Sequence, residues 1–237
     1  MKFAYFIVFV FFQNYAFSKT VEYCDKQFEN AISASAPLGR GPINTKLVYE
    51  IMKEETFNPH CVDRQWHREP VYFFLVNSYS FESATTIIDA ILKKGWKTNS
   101  GYNFINGIFD GYNQEDIVRF LKYFEKNGLN LHKAIGIYEQ TYGLAGLVRT
   151  AAVYGKEFVI EFLVRERGLS FNDAKNQNAI HSAVIYHQFN AFKKLLELGA
   201  KIFDVDSFGK TPLDYAIENH DEVTIQYIIE RKITPKK

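Results

Sequence analysis

The chain has 237 residues, 28 Lys plus Arg against 27 Asp plus Glu, and 16% aromatic residues. That length supports a sizeable core without metals or several disulfides. The near-zero charge excludes a protein that holds nucleic acid by bulk charge, and the aromatic content excludes disorder over most of the chain.

Lys2, the uncharged apolar run Phe3 to Phe12, and then Ala16-Phe17-Ser18 form the three-part pattern of a secretory signal, assigned to residues 1–18. The run is too short for an ordinary transmembrane helix, which needs roughly 20 apolar residues. No later stretch is long and apolar enough to span a bilayer, so a soluble mature chain without stable membrane insertion is expected. Met52 is the only methionine besides the initiator. Initiation there would give a minor cytoplasmic form lacking the signal and Cys24; the alternative is a core methionine on a capping helix.

Cys24 and Cys61 are the only cysteines, 37 positions apart. An oxidising compartment favours a disulfide between them, with two separately buried thiols as the alternative. With no CxxC and no His pair nearby, neither a redox motif nor a metal site is read. Residues 19–70 fit no repeat and are read as an N-terminal capping region, with a turn-rich break at Ala36 to Pro42 and a helix over Asn44 to Met52.

From Val71 onward, short apolar-periodic segments alternate with Gly-marked turns, which predicts helices throughout. A shift of 33 residues lays Asp206, Gly209, Leu213 and Ala216 over Asp173, Asn176, Ile180 and Ala183, and Ile228-Ile229 over Leu195-Leu196. Thr211-Pro212-Leu213-Asp214 and Leu195-Leu196-Glu197-Leu198-Gly199-Ala200 resemble the two signatures of an ankyrin repeat. Ala151-Ala152 through Gly168 looks like an earlier copy; fainter ones run from Gly101 through Gly128 and from Val71 through Gly95.

The resemblance implies an all-α ankyrin-repeat solenoid of about four to five repeats over residues 71–232, followed by a frayed tail at 233–237. Thr211 is expected to cap a helix whose first turn holds Pro212. Ala183 and Ala216 allow close helix approach, and Gly199 ends a helix in the left-handed conformation. Ile105 and Val148 are 43 residues apart, ten more than one period, which points to an enlarged turn tip near His132 to Gly143.

No GxSxG, HExxH or phosphate-loop motif is present, so no catalytic residue, metal ligand or cofactor is expected. His181 and His220 match family positions that tie loops to helix ends. The family's turn tips and outward first-helix positions contact a partner protein. Carried over, they include Tyr102, Asp110, Tyr154, Lys175, Tyr186, Phe208, Lys210 and Glu218, with Val153 among the neighbours; Tyr138 and Tyr142 join them from the enlarged loop. Exposed aromatics at such positions bury much area at little entropic cost.

Signal, neutral charge and resemblance together predict a periplasmic module that binds one protein. Its sharpest form is an immunity protein covering the active site of a lipase-like toxin. In outline it is similar to the signal-bearing ankyrin proteins paired with phospholipase toxins of type VI secretion. A secreted effector and a periplasmic scaffold or stress protein are the alternatives.

Overall fold

The computed structural model describes residues 24, 57–61, 70–77, 80–98, 105–139, 143–171 and 179–230. Among them, ten helices follow one another as five pairs. The pairs are α1 (Pro70–Asn77) with α2 (Phe81–Lys93), α3 (Asn106–Gly111) with α4 (Gln114–Lys126), and α5 (Leu147–Val153) with α6 (Glu157–Glu161). Then come α7 (Ala179–Ile185) with α8 (Phe189–Glu197), and α9 (Pro212–Glu218) with α10 (Glu222–Glu230). Residues 1–18, read as a signal, Met52 and the expected tail at 233–237 lie outside the described residues, as does most of the expected capping region of 19–70.

The pairs repeat because their ends repeat. At the close of each of the first four second helices, a glycine takes positive φ: Gly95, Gly128, Gly168 and Gly199. The residue after it donates its amide back into the helix, Trp96 to Ile91, Leu129 to Phe124, Leu169 to Leu163 and Ala200 to Leu195. The first, second and fourth are Schellman closures and the third is one residue wider; all four satisfy carbonyls that the helix leaves over. The last three first helices close alike, with Gly155, His187 and His220 at positive φ. There Lys156, Gln188 and Asp221 donate to Ala151, Ala183 and Ala216, all three fully buried alanines that admit the neighbouring helix.

Second helices stack in a row, α2 on α4, α4 on α6 and α6 on α8, while α5, α7 and α9 form the row of first helices. Phe109, Phe120, Phe124 and Phe192 fill the seam between the rows and are sealed from solvent. Burial of such a side chain stabilises by about 1.5–3 kcal/mol, and no single pair buries its apolar face alone. At the outer edge a ladder of ion pairs joins successive units: Arg119 to Glu82, Arg167 to Glu125 and Lys194 to Glu161. The first is exposed and the other two are half-buried, and pairs with this access to solvent add little stability each.

Two features break the period. In the third pair α6 runs on as a π-helical turn, Phe162–Glu166. Leu163 stands five residues before its closing glycine, Gly168, whereas Leu195 stands four before Gly199. The π turn is therefore one inserted residue absorbed within a helix. Between α4 and α5, the surplus of the enlarged tip is a two-stranded antiparallel hairpin, β1 (Ile135–Glu139) and β2 (Gly143–Gly146), with Tyr138 opposite Leu144. The expectation of helices throughout missed it, because its strands are too short to display a clear alternation.

At the other end, Cys24 and Cys61 form a disulfide, both buried, with Cα atoms 4.7 Å apart. His60 Nε2 donates to the Gly95 carbonyl across 3.2 Å, tying the bridged segment to the end of α2.

Candidate functional site

The best-defined surface is the loop that leads into α9. Asp206 is buried and organises it: Oδ1 accepts the amides of Phe208 (2.8 Å) and Lys210 (3.1 Å), and Oδ2 accepts the Tyr215 hydroxyl (2.6 Å). The Asp206 amide donates to the Lys210 carbonyl, and Gly209 completes the turn at φ +73. Burial raises the Asp206 pKa, but the Tyr215 hydroxyl and the two amides outweigh it, leaving the carboxyl below its usual range.

His181 closes the loop from beneath. It is fully buried on α7, and Nε2 donates to the carbonyls of Asp204 (3.0 Å) and Lys210 (3.2 Å), which is the tying role expected of it. That geometry puts the proton on Nε2 and leaves Nδ1 buried without a hydrogen-bond partner. Burial pushes the His181 pKa down, so the ring is neutral. Thr211 caps α9 in a reciprocal box with Asp214, with Pro212 in the first turn, as the sequence predicts.

A rigid tip results, and it presents apolar groups to solvent. Phe208 is 56% exposed and Val205 59%. Lys210 and Glu218, two of the predicted contact residues, are brought together as an ion pair of 2.7 Å, with the ammonium 5.2 Å from the centre of the Tyr215 ring. Tyr186, at the end of α7, is 41% exposed. Its counterpart Tyr154, at the end of α5, is half-buried, its ring 6.0 Å from that of Phe109. Tyr154 lines an open cleft of about 460 Å³ with Asn113, Gln114, Glu115, Gly155, Lys156 and Phe158.

The predicted set therefore divides. Phe208, Lys210 and Glu218 gather around α9 and the loop that leads into it, while Tyr154 and Tyr186 close the first helices of their pairs. Val153 is a correction: it is buried, because α5 is enclosed along its whole length, with all seven of its residues buried. Asp110 and Tyr138 are placed by backbone alone, on α3 and β1, and Tyr102, Tyr142 and Lys175 lie outside the described residues. Sequence reasoning missed Val205, whose signal is an apolar residue inside a polar turn. It also missed Phe158, 61% exposed, an aromatic on the outer side of a helical apolar pattern.

Chemically, the surface offers exposed aromatic and aliphatic area beside paired charges. Among the described residues, no group of three His, Cys, Asp or Glu side chains converges as a metal site would require. Nor is any described helix long and apolar enough to cross a membrane.

A model of the family described as ankyrin repeats matches residues 147–237 in three copies. No curated protein matches the chain.

Proposed function

From the three ankyrin repeats of residues 147–237, which make this part of the chain a protein–protein interaction module, we propose that the protein grips one partner protein outside the cytoplasm. The observation that carries the reading is the loop tip locked by Asp206 and His181, which holds Phe208 and Val205 exposed beside the Lys210–Glu218 pair. Rigid presentation of apolar groups lowers the ordering cost of binding. Two features support export: the signal-like pattern of residues 1–18, and the disulfide between Cys24 and Cys61, a bond at home in oxidising compartments.

In its sharpest form, the protein is a periplasmic immunity protein that covers the active-site mouth of a lipase-like toxin. The mechanism is steric: exposed aromatics bury themselves against the rim of the enzyme's cleft, and this chain performs no chemical step. Immunity demands binding near 1 nM, about −12 kcal/mol, within reach of a few well-packed aromatic anchors.

The test is co-purification with the product of the adjacent gene, combined with an assay of that product's lipase activity. A stoichiometric complex with abolished hydrolysis is expected. A complex without inhibition would remove the immunity role and keep the binder; no complex with any exported protein would remove both.

A further inference from the structure

His181 sits on α7, which packs against α5, α8 and α9, and its ring is fully buried there. Both hydrogen bonds of the ring go to the loop before α9: Nε2 donates to the carbonyls of Asp204 and Lys210. The other nitrogen, Nδ1, is sealed with no partner. A neutral ring suits this arrangement, since Nδ1 then carries only a lone pair. An imidazolium does not, because its second N–H would be buried without an acceptor, a penalty relieved only by admitting water.

The surroundings keep the ring neutral. α7 holds no other titratable side chain. Burial disfavours the cation more than Asp206 and Asp204 on the loop favour it. From α9 the Tyr215 ring meets the imidazole edge-on, centroids 6.2 Å apart, with its hydroxyl committed to Asp206. The other charged groups of the packed elements are Arg149 on α5, Lys193, Lys194 and Glu197 on α8, and Asp214 and Glu218 on α9. None of these hydrogen-bonds to the ring. The loop is the part that can yield: from Phe203 to Lys210 only Asp206 is buried, whereas α7 is buried from Ala179 to Val184. A segment with so few buried apolar contacts opens locally before the helices around it separate.

We infer that the loop tip is a latch that acid opens: a proton taken from solvent by Nδ1 of His181 frees the segment 203–210 from α7 while the helix pairs stay stacked. In the open form the imidazolium is hydrated, and the Asp204 and Lys210 carbonyls turn to water. Opening also breaks the bond between Tyr215 and Asp206, so the closed form prevails at neutral pH. The consequence for binding rests on the function proposed above. Phe208 and Val205 lose their fixed presentation, and a partner held at neutral pH is released in acid.

The experiment is amide hydrogen exchange of the full chain from pH 8 to 5, each rate divided by that amide's intrinsic rate, together with the ring-nitrogen shifts of His181. At pH 8 the shifts should show a neutral ring protonated on Nε2. Below about pH 6.5 the opening read at the Phe208, Gly209 and Lys210 amides should rise by up to about tenfold per pH unit, the slope for one proton. Amides of α8 should keep their protection throughout. His181→Gln removes the titrating group, so its loop should open equally at every pH, however loose that loop is. A slope that persists in His181→Gln, or a loop that opens only together with α8, would overturn the inference. So would a His181 ring that becomes cationic while the loop stays closed. The readout needs no partner, so its failure leaves the binding reading standing, and failure to find a partner leaves the latch standing.

Discussion

The Tyr215 hydroxyl donates to Asp206 Oδ2 across 2.6 Å, joining the core of the last helix pair to the loop that carries Phe208. Since the other oxygen of Asp206 already holds two loop amides, the carboxylate makes the loop's shape and the helix's position interdependent. Replacing Asp206 with Ala leaves the Phe208 and Lys210 amides without their acceptor and is expected to cost about 2–3 kcal/mol. Tyr215→Phe, which removes only one hydrogen bond, should cost about 1 kcal/mol. Denaturant unfolding of the two variants checks the order; a harmless Asp206→Ala would mean that the loop is held by something else.

Acid should loosen the same latch through His181. Burial holds its folded-state pKa below the ordinary histidine value, so the folded protein favours the neutral ring. The unfolded chain therefore binds the proton first as pH falls. The contribution of His181 is complete above about pH 6.5 and is lost as pH drops from there through the depressed folded value. Asp206, whose carboxyl is lowered by the Tyr215 bond and the loop amides against the opposing effect of burial, adds a second loss at more acidic pH. Thermal melts from pH 8 to 5 should show a falling Tm that flattens in His181→Gln, even though that variant is less stable at pH 8. An unchanged slope would show that His181 is not the titrating group.

His187 and His220 occupy left-handed backbone at φ 55 and 53, where the equivalent position of the preceding pair uses Gly155. A side chain with Cβ is strained there by about 1 kcal/mol, partly offset by the greater freedom that glycine has when unfolded. His187→Gly should stabilise by about 0.5 kcal/mol. Gly155→Ala should destabilise by about 1 kcal/mol, because a Cβ meets both the φ of +64 and the Gln188 side-chain oxygen, which must move. Paired unfolding curves decide the signs, and like signs for the two variants would contradict the assignment.

The Cys24–Cys61 bridge closes a loop of 37 positions. Its removal by Cys24→Ser with Cys61→Ser is expected to cost about 3–4 kcal/mol if the bridge acts mainly by restricting the unfolded chain. Reduction of the natural protein should lower stability equally, and insensitivity to reductant would contradict a closed bridge.

The last two pairs were the most legible in the sequence because each constraint there falls on a distinctive residue type. Thr211 and Pro212 mark a helix start, Gly199 a helix end, and Ala183 and Ala216 a close helix contact. The third pair was blurred by one residue: the π turn at Phe162–Glu166 shifts Gly168 out of phase, and a fixed period cannot register it. The hairpin of residues 135–146 escaped for a different reason, since backbone pairing between short strands leaves little trace in side-chain type. At the candidate site, Phe208 and Lys210 were found by their repeat position. Asp206 was seen only as a recurring letter, because its work is to bind amides that every residue carries. Exposure of Val205 and Phe158 depends on which side of a loop or helix meets a neighbour, and that is settled by tertiary packing.

The central claim is that the loop tip and the end of α7 grip a protein, and binding of the co-purifying partner by chains carrying Phe208→Ala, Tyr186→Ala or Val223→Ala tests it most directly. Phe208 and Tyr186 are on the proposed surface, while Val223, also exposed, belongs to α10 and to neither the loop tip nor α7. Losses of about 30-fold or more in affinity for Phe208→Ala and Tyr186→Ala, of the size seen at binding hot spots, with no more than a twofold change for Val223→Ala, are predicted. Equal affinity for all three folded variants would contradict the account.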